Sequence, residues 1–111
     1  MKDDVELKFK RLLTDLIKPF GLVIGEKSVS IAENLFKQIS KEEPEIKKIG
    51  INGRINIIFA GKSSEERKKE ILLEVTKRLI KEYNKEAGKI AESMIKFILQ
   101  DYKIPASILK N

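Results

Sequence analysis

Residues 46–60 read Ile46-Lys47-Lys48-Ile49-Gly50-Ile51-Asn52-Gly53-Arg54-Ile55-Asn56-Ile57-Ile58-Phe59-Ala60, and the fold turns on them. They are the one part of the chain that reads as sheet. Asn-Gly between two β-branched runs is the strongest short-range hairpin signal, because a type I′ turn needs positive φ at both central residues. Strands are therefore expected over 46–51 and 54–60, turning at Asn52-Gly53. With a two-residue loop, residues facing each other across the turn share a side. Ile46, Ile55, Ile57 and Phe59 then line one side. Ile49, Ile51 and Ile58 line the other, beside Lys47, Arg54 and Asn56.

Upstream, Val5, Phe9, Leu12, Leu13, Leu16, Ile17 and Phe20 recur at spacings of three and four, one face of an amphipathic helix. It is expected from Asp3 or Asp4 to Lys18, because Pro19 disfavours helix at the residue before it. Pro19-Phe20-Gly21 reads as a turn. A second helix follows, from Leu22 or Glu26 to Lys41, with Val29, Ala32, Leu35, Phe36 and Ile39 on its apolar face. The charged, proline-containing segment 41–45 closes it.

Downstream, Ser63 and Glu66 fit a capping box at the start of a third helix, whose apolar face carries Ile71, Leu72, Val75, Leu79, Ile80 and Tyr83. Residues 84–88 are an ambiguous joint: Asn84 could cap a new helix, and Gly88 weakens a continuous one. Residues 64–101 are thus one long helix or two. The apolar pattern resumes through Ala87, Ile90, Ala91, Met94, Ile95, Phe97, Ile98 and Leu99. A stripe that wide is buried on more than one side. Residues 103–111 read as a tail. Leu16-Ile17-Lys18-x-Phe20 leading to Gly25 is echoed by Leu79-Ile80-Lys81-x-Tyr83 leading to Gly88, the pattern expected if two helical hairpins that are copies of each other flank the β-hairpin. The expected architecture is one α+β domain over residues 1–111, mostly helical, in the order α-α-β-β-α-α.

Composition bounds the chemistry. The 111 residues include 23 basic and 17 acidic ones, a net charge of +6, with no Cys, no Trp and no His. Disulfides and thiolate metal sites are excluded, and the commonest general base and metal ligand is missing. The Ile-, Lys- and Glu-rich makeup resembles that of proteins from hot environments. The polar start Met1-Lys2-Asp3-Asp4 is unlike a signal peptide, and no apolar run reaches membrane-spanning length, so a cytoplasmic location is expected.

Gly61-Lys62-Ser63 resembles the end of a phosphate-binding loop, but the glycine that motif needs five residues earlier is Asn56. Gly50-Ile51-Asn52-Gly53 superficially resembles the G-x-x-G loop that clamps a nucleic-acid backbone in KH domains. It departs from that loop in lacking a basic residue, in having Asn56 where an apolar residue belongs, and in joining strands rather than helices. A tight turn accounts for it better. Lys47, Lys48, Arg54 and Lys62 cluster around the hairpin and could contact phosphate, as a winged-helix wing does. Lysines on a strand edge equally discourage aggregation. Asp3-Asp4, Glu42-Glu43-Glu45 and Glu65-Glu66 sit at helix starts or in a loop and face no nucleophile.

The expected function is a non-catalytic interaction or regulatory module, without a cofactor, that forms a homodimer through Ile49, Ile51, Ile58, Met94, Ile95, Phe97 and Ile98. A further protein partner remains open. The alternative is a small basic DNA- or RNA-binding protein, with weak non-specific binding. With neither His nor Cys and a broken phosphate loop, the purified protein is expected to retain no transition metal after dialysis and to hydrolyse no nucleotide. Stoichiometric metal by mass spectrometry, or turnover above a blank, contradicts this.

Overall fold

The computed structural model describes residues 5–88 and 90–109. The order is α1 (Val5–Ile24), α2 (Lys27–Glu42), β1 (Ile46–Asn52), β2 (Arg54–Phe59), α3 (Glu65–Ala87), α4 (Ile90–Asp101) and a 3₁₀ turn (Ala106–Leu109). It is the α-α-β-β-α-α arrangement, with residues 65–101 forming two helices. The expected start of the first helix at Asp3 or Asp4 lies outside the described residues.

Helix α1 is central: it packs on α2, α3, α4 and β2. Phe9, Leu12, Leu13, Leu16, Ile17 and Phe20 are all buried along it. Contrary to the sequence expectation, α1 runs straight past Pro19 to Ile24. A proline inside a helix loses one hydrogen bond and costs about 3 kcal/mol. Continuing the helix places Phe20 at 0 % exposure, stacked on Tyr83 with ring centroids 4.4 Å apart. Burying such a ring is worth about 1.5–3 kcal/mol, with aromatic stacking adding to it, so the extension offsets the proline.

The echo between residues 16–25 and 79–88 is structural. Gly25 and Gly88 both take positive φ, +68° and +67°. Each donates its N–H four residues back, Gly25 to Gly21 O and Gly88 to Asn84 O, and so ends its helix. Each then accepts at its carbonyl from the third residue on, Ser28 and Ala91. The aromatic of one copy, Phe20, stacks on that of the other, Tyr83, whose hydroxyl donates to Ser28 O at 2.7 Å. The joint at 84–88 is therefore a break at Gly88, with Asn84 still inside α3.

At the start of α3 the cap is Ser64, not Ser63: its hydroxyl accepts from the Arg67 N–H at 3.1 Å. Ser63 lies one residue too early, and its hydroxyl is buried with no hydrogen-bond partner among the described residues. Lys103, at φ +56°, ends α4 in a Schellman arrangement, with Ile104 N–H donating to Leu99 O and Lys103 N–H to Gln100 O. The segment beyond is no loose tail: Ile104 is buried, and the 3₁₀ turn packs on α3 and α4.

The hairpin departs most from expectation. Asn52 pairs with Arg54, Ile51 with Ile55 and Ile49 with Ile57, one residue away from the two-residue-loop register. Gly53 alone in the turn has positive φ, +73°, so Asn52-Gly53 is not a type I′ turn. A one-residue slip turns every side chain of a strand over. Ile49 and Ile51 consequently join Ile55 and Ile57 on the inner face. An irregularity between Ile46 and Lys48 absorbs the slip, so Ile46 still faces Phe59 in the core. Ile58, 49 % exposed, stays outside opposite Lys48.

Under the two-residue-loop register Ile49 and Ile58 are equivalent outward residues; in the structure they are not. Ile49→Ala is expected to cost about 2–5 kcal/mol, as truncation of a buried isoleucine does, and Ile58→Ala about 0.5 kcal/mol. Urea unfolding of the two variants checks this, and equal losses contradict the register.

Candidate nucleic-acid groove

The polar face of α1 presents Lys10, Arg11, Thr14, Asp15 and Lys18, positions three or four apart and so on one side of the helix. Strand β2 packs along α1 on one side of this face, and α4 packs on α1 as well. An open groove of about 500 Å³ runs beside this face, lined by Leu7, Lys10, Arg11, Thr14 and Asp15 of α1, by Arg54, Ile55 and Asn56 of β2, and by Tyr102 just after α4. A second cavity of about 180 Å³ continues it under the hairpin tip, lined by Ile17, Lys18, Val29, Ile51 and Gly53. The two share Thr14, Arg54 and Ile55, so they form one channel along α1.

Three of the basic residues on α3, Arg67, Lys68 and Arg78, are paired with carboxylates of other elements. Arg67 ties Glu43 at 3.0 Å, Glu45 at 3.3 Å and Glu70 at 2.7 Å. Lys68 meets Glu6 at 2.9 Å, and Arg78 holds Glu42 through two nitrogens. The Arg78 hydrogen bond lowers the Glu42 carboxyl below its ordinary range, and the Glu45 hydrogen bond raises Arg67 further. In the channel, none of Lys10, Arg11, Lys18 and Arg54 forms an ion pair with another described residue. The one carboxylate lining it, Asp15, accepts the Tyr102 hydroxyl.

The residues expected to contact nucleic acid are separated. Arg54 stands in the channel. Lys47 and Lys48 are exposed on β1, and Lys62 borders a different cavity with Glu45, Ser63, Ser64 and Arg67. The expected dimer residues separate too. Ile49 and Ile95 are buried, and Ile51 is partly buried at the channel floor. Met94 and Ile98 are partly buried, and Phe97 is 68 % exposed. Lys10, Arg11 and Lys18 were missed by sequence reasoning; their shared side of α1 was readable, but their nearness to Arg54 was not.

Among the described residues no group of three or more His, Cys, Asp or Glu side chains could hold a metal ion, and no helix is long and apolar enough to cross a membrane. Comparison with known protein families, with curated proteins and with solved structures finds no match.

The two tyrosines report on their sites without interference from tryptophan. Burial raises both hydroxyls above the ordinary value of 10.0, Tyr83 beyond the range of a usual titration and Tyr102 to about 12. For Tyr102 the hydrogen bond to Asp15 adds to burial. A raised pKa here favours the protonated, folded state, so its contribution to stability is whole below pH 10 and is lost as pH rises through the folded value. A phenolate absorbance titration is expected to show no ionisation at pH 10, where a free tyrosine is half ionised, and Asp15→Asn is expected to lower the Tyr102 midpoint. Half ionisation of either tyrosine at pH 10 contradicts the packing described.

Proposed function

We propose that the protein is a non-catalytic interaction module that self-associates through α4. One observation carries the reading. Phe97 stands 68 % exposed between Met94 and Ile98, which the core covers only in part. Met94, Phe97 and Ile98 are three and four residues apart, so they form one stripe along the helix. A second copy laying the same stripe against it makes an isologous contact that removes the phenyl ring from water. The hairpin is the weaker surface, because Ile58 is its one large exposed apolar residue.

Light scattering is expected to give a dimer at tens of micromolar for the wild type and for Ile58→Lys, and a monomer for Phe97→Lys that keeps the wild-type helical content by circular dichroism. A monomeric wild type contradicts self-association. A dimeric, folded Phe97→Lys moves the interface away from α4.

A second reading is binding of nucleic acid. It is favoured by the four cations that line one channel without a carboxylate partner among the described residues.

A further inference from the structure

We infer that the channel between α1 and the hairpin is the track of a single-stranded nucleic-acid backbone, an inference that rests on the nucleic-acid reading. The cations sit where a chain of phosphates could meet them in turn. Lys10 and Arg11 stand at one end, Arg54 is shared by both cavities, and Lys18 lies under the hairpin tip. From Arg11 to Lys18 is seven helical rises, about 10 Å, longer than a single phosphate needs.

The floor differs from the rim. Ile17, Ile51, Ile55 and Val29 supply apolar surface between the charges, and Tyr102 borders the wider end with its hydroxyl fixed by Asp15. A basic groove with apolar surface along it and one aromatic ring at its border suits a single strand, whose phosphates and sugar and base faces are both exposed. An acidic peptide would meet the rim with carboxylates spaced by its sequence, whereas a nucleic-acid backbone carries a charge at every nucleotide. A duplex, with its bases stacked inside, would reach only the rim. Asp15 is the one carboxylate among the lining residues, and one of its oxygens accepts the Tyr102 hydroxyl. On the rim, Asn56 donates to Arg54 O and Thr14 to Lys10 O, so both are fixed beside the cations they adjoin.

The probe is a labelled mixed-sequence DNA 12-mer, single-stranded or annealed, titrated by fluorescence anisotropy at several salt concentrations. Two triple variants of equal charge change are compared: Lys10→Gln/Arg11→Gln/Arg54→Gln in the channel, and Lys47→Gln/Lys48→Gln/Lys62→Gln outside it. Circular dichroism confirms that both fold. Each phosphate contact on a single strand contributes about 0.7 to the slope of log affinity against log salt. The channel variant is expected to lose about 2 from the wild-type slope and the outer variant under about 0.5, with the single strand bound more tightly than the duplex. Equal losses in the two variants overturn the channel while leaving diffuse nucleic-acid binding standing. Tighter duplex binding overturns the single-strand assignment. No binding to either form at low salt overturns the channel and the nucleic-acid reading together.

Discussion

The hairpin register is the constraint on which the rest of the structure depends. Gly53 takes the left-handed conformation alone, Asn52 pairs with Arg54, and the whole ladder is fixed one residue away from a two-residue turn. That step places Ile49, Ile51, Ile55 and Ile57 on the face that covers α1 and α2. The irregularity after Ile46 then restores the older phase, so that Ile46 and Phe59 also reach the core. Six large apolar side chains from two short strands thus face one way. A two-stranded ribbon with no such face would not be stable. The same register leaves Arg54 at the turn, over α1, where its guanidinium helps form the channel.

The order of elements was legible in the sequence, because a hairpin signal stood among helical periodicities. Register was not. Both candidate registers place isoleucines on both strands, and the sequence Asn-Gly suits more than one turn. The end of α1 was misread for a related reason: the local preference of Pro19 was weighed without the stacking of Phe20 on Tyr83, a contact 63 residues away in sequence. The cap of α3 was misplaced by one residue because Ser63 and Ser64 are adjacent, and it is the extended Ser64 whose hydroxyl accepts from the Arg67 N–H. The repeat, by contrast, was visible as letters and corresponds to matching glycine-closed joints in space.

Charge explains why the channel escaped notice. Mixed along the chain, the basic residues look uniformly solvated. On folding, Arg67, Lys68 and Arg78 are drawn into pairs that fasten α3 to the end of α2, to the loop after it and to α1. Lys10, Arg11, Lys18 and Arg54 are left around one depression. Four cations thus stand together beside apolar surface, a local feature that net charge alone does not show. Self-association through α4 would leave that channel's β2 side untouched, so the two surfaces need not compete.

All of this follows from the ladder, which nuclear magnetic resonance reads directly. In an antiparallel pair, directly opposed residues bring their backbone protons close. The account predicts cross-strand Overhauser contacts between Ile49 and Ile57 and between Ile51 and Ile55. Contacts pairing Ile49 with Asn56 and Ile51 with Arg54 would contradict it, for they would turn both isoleucines away from the core.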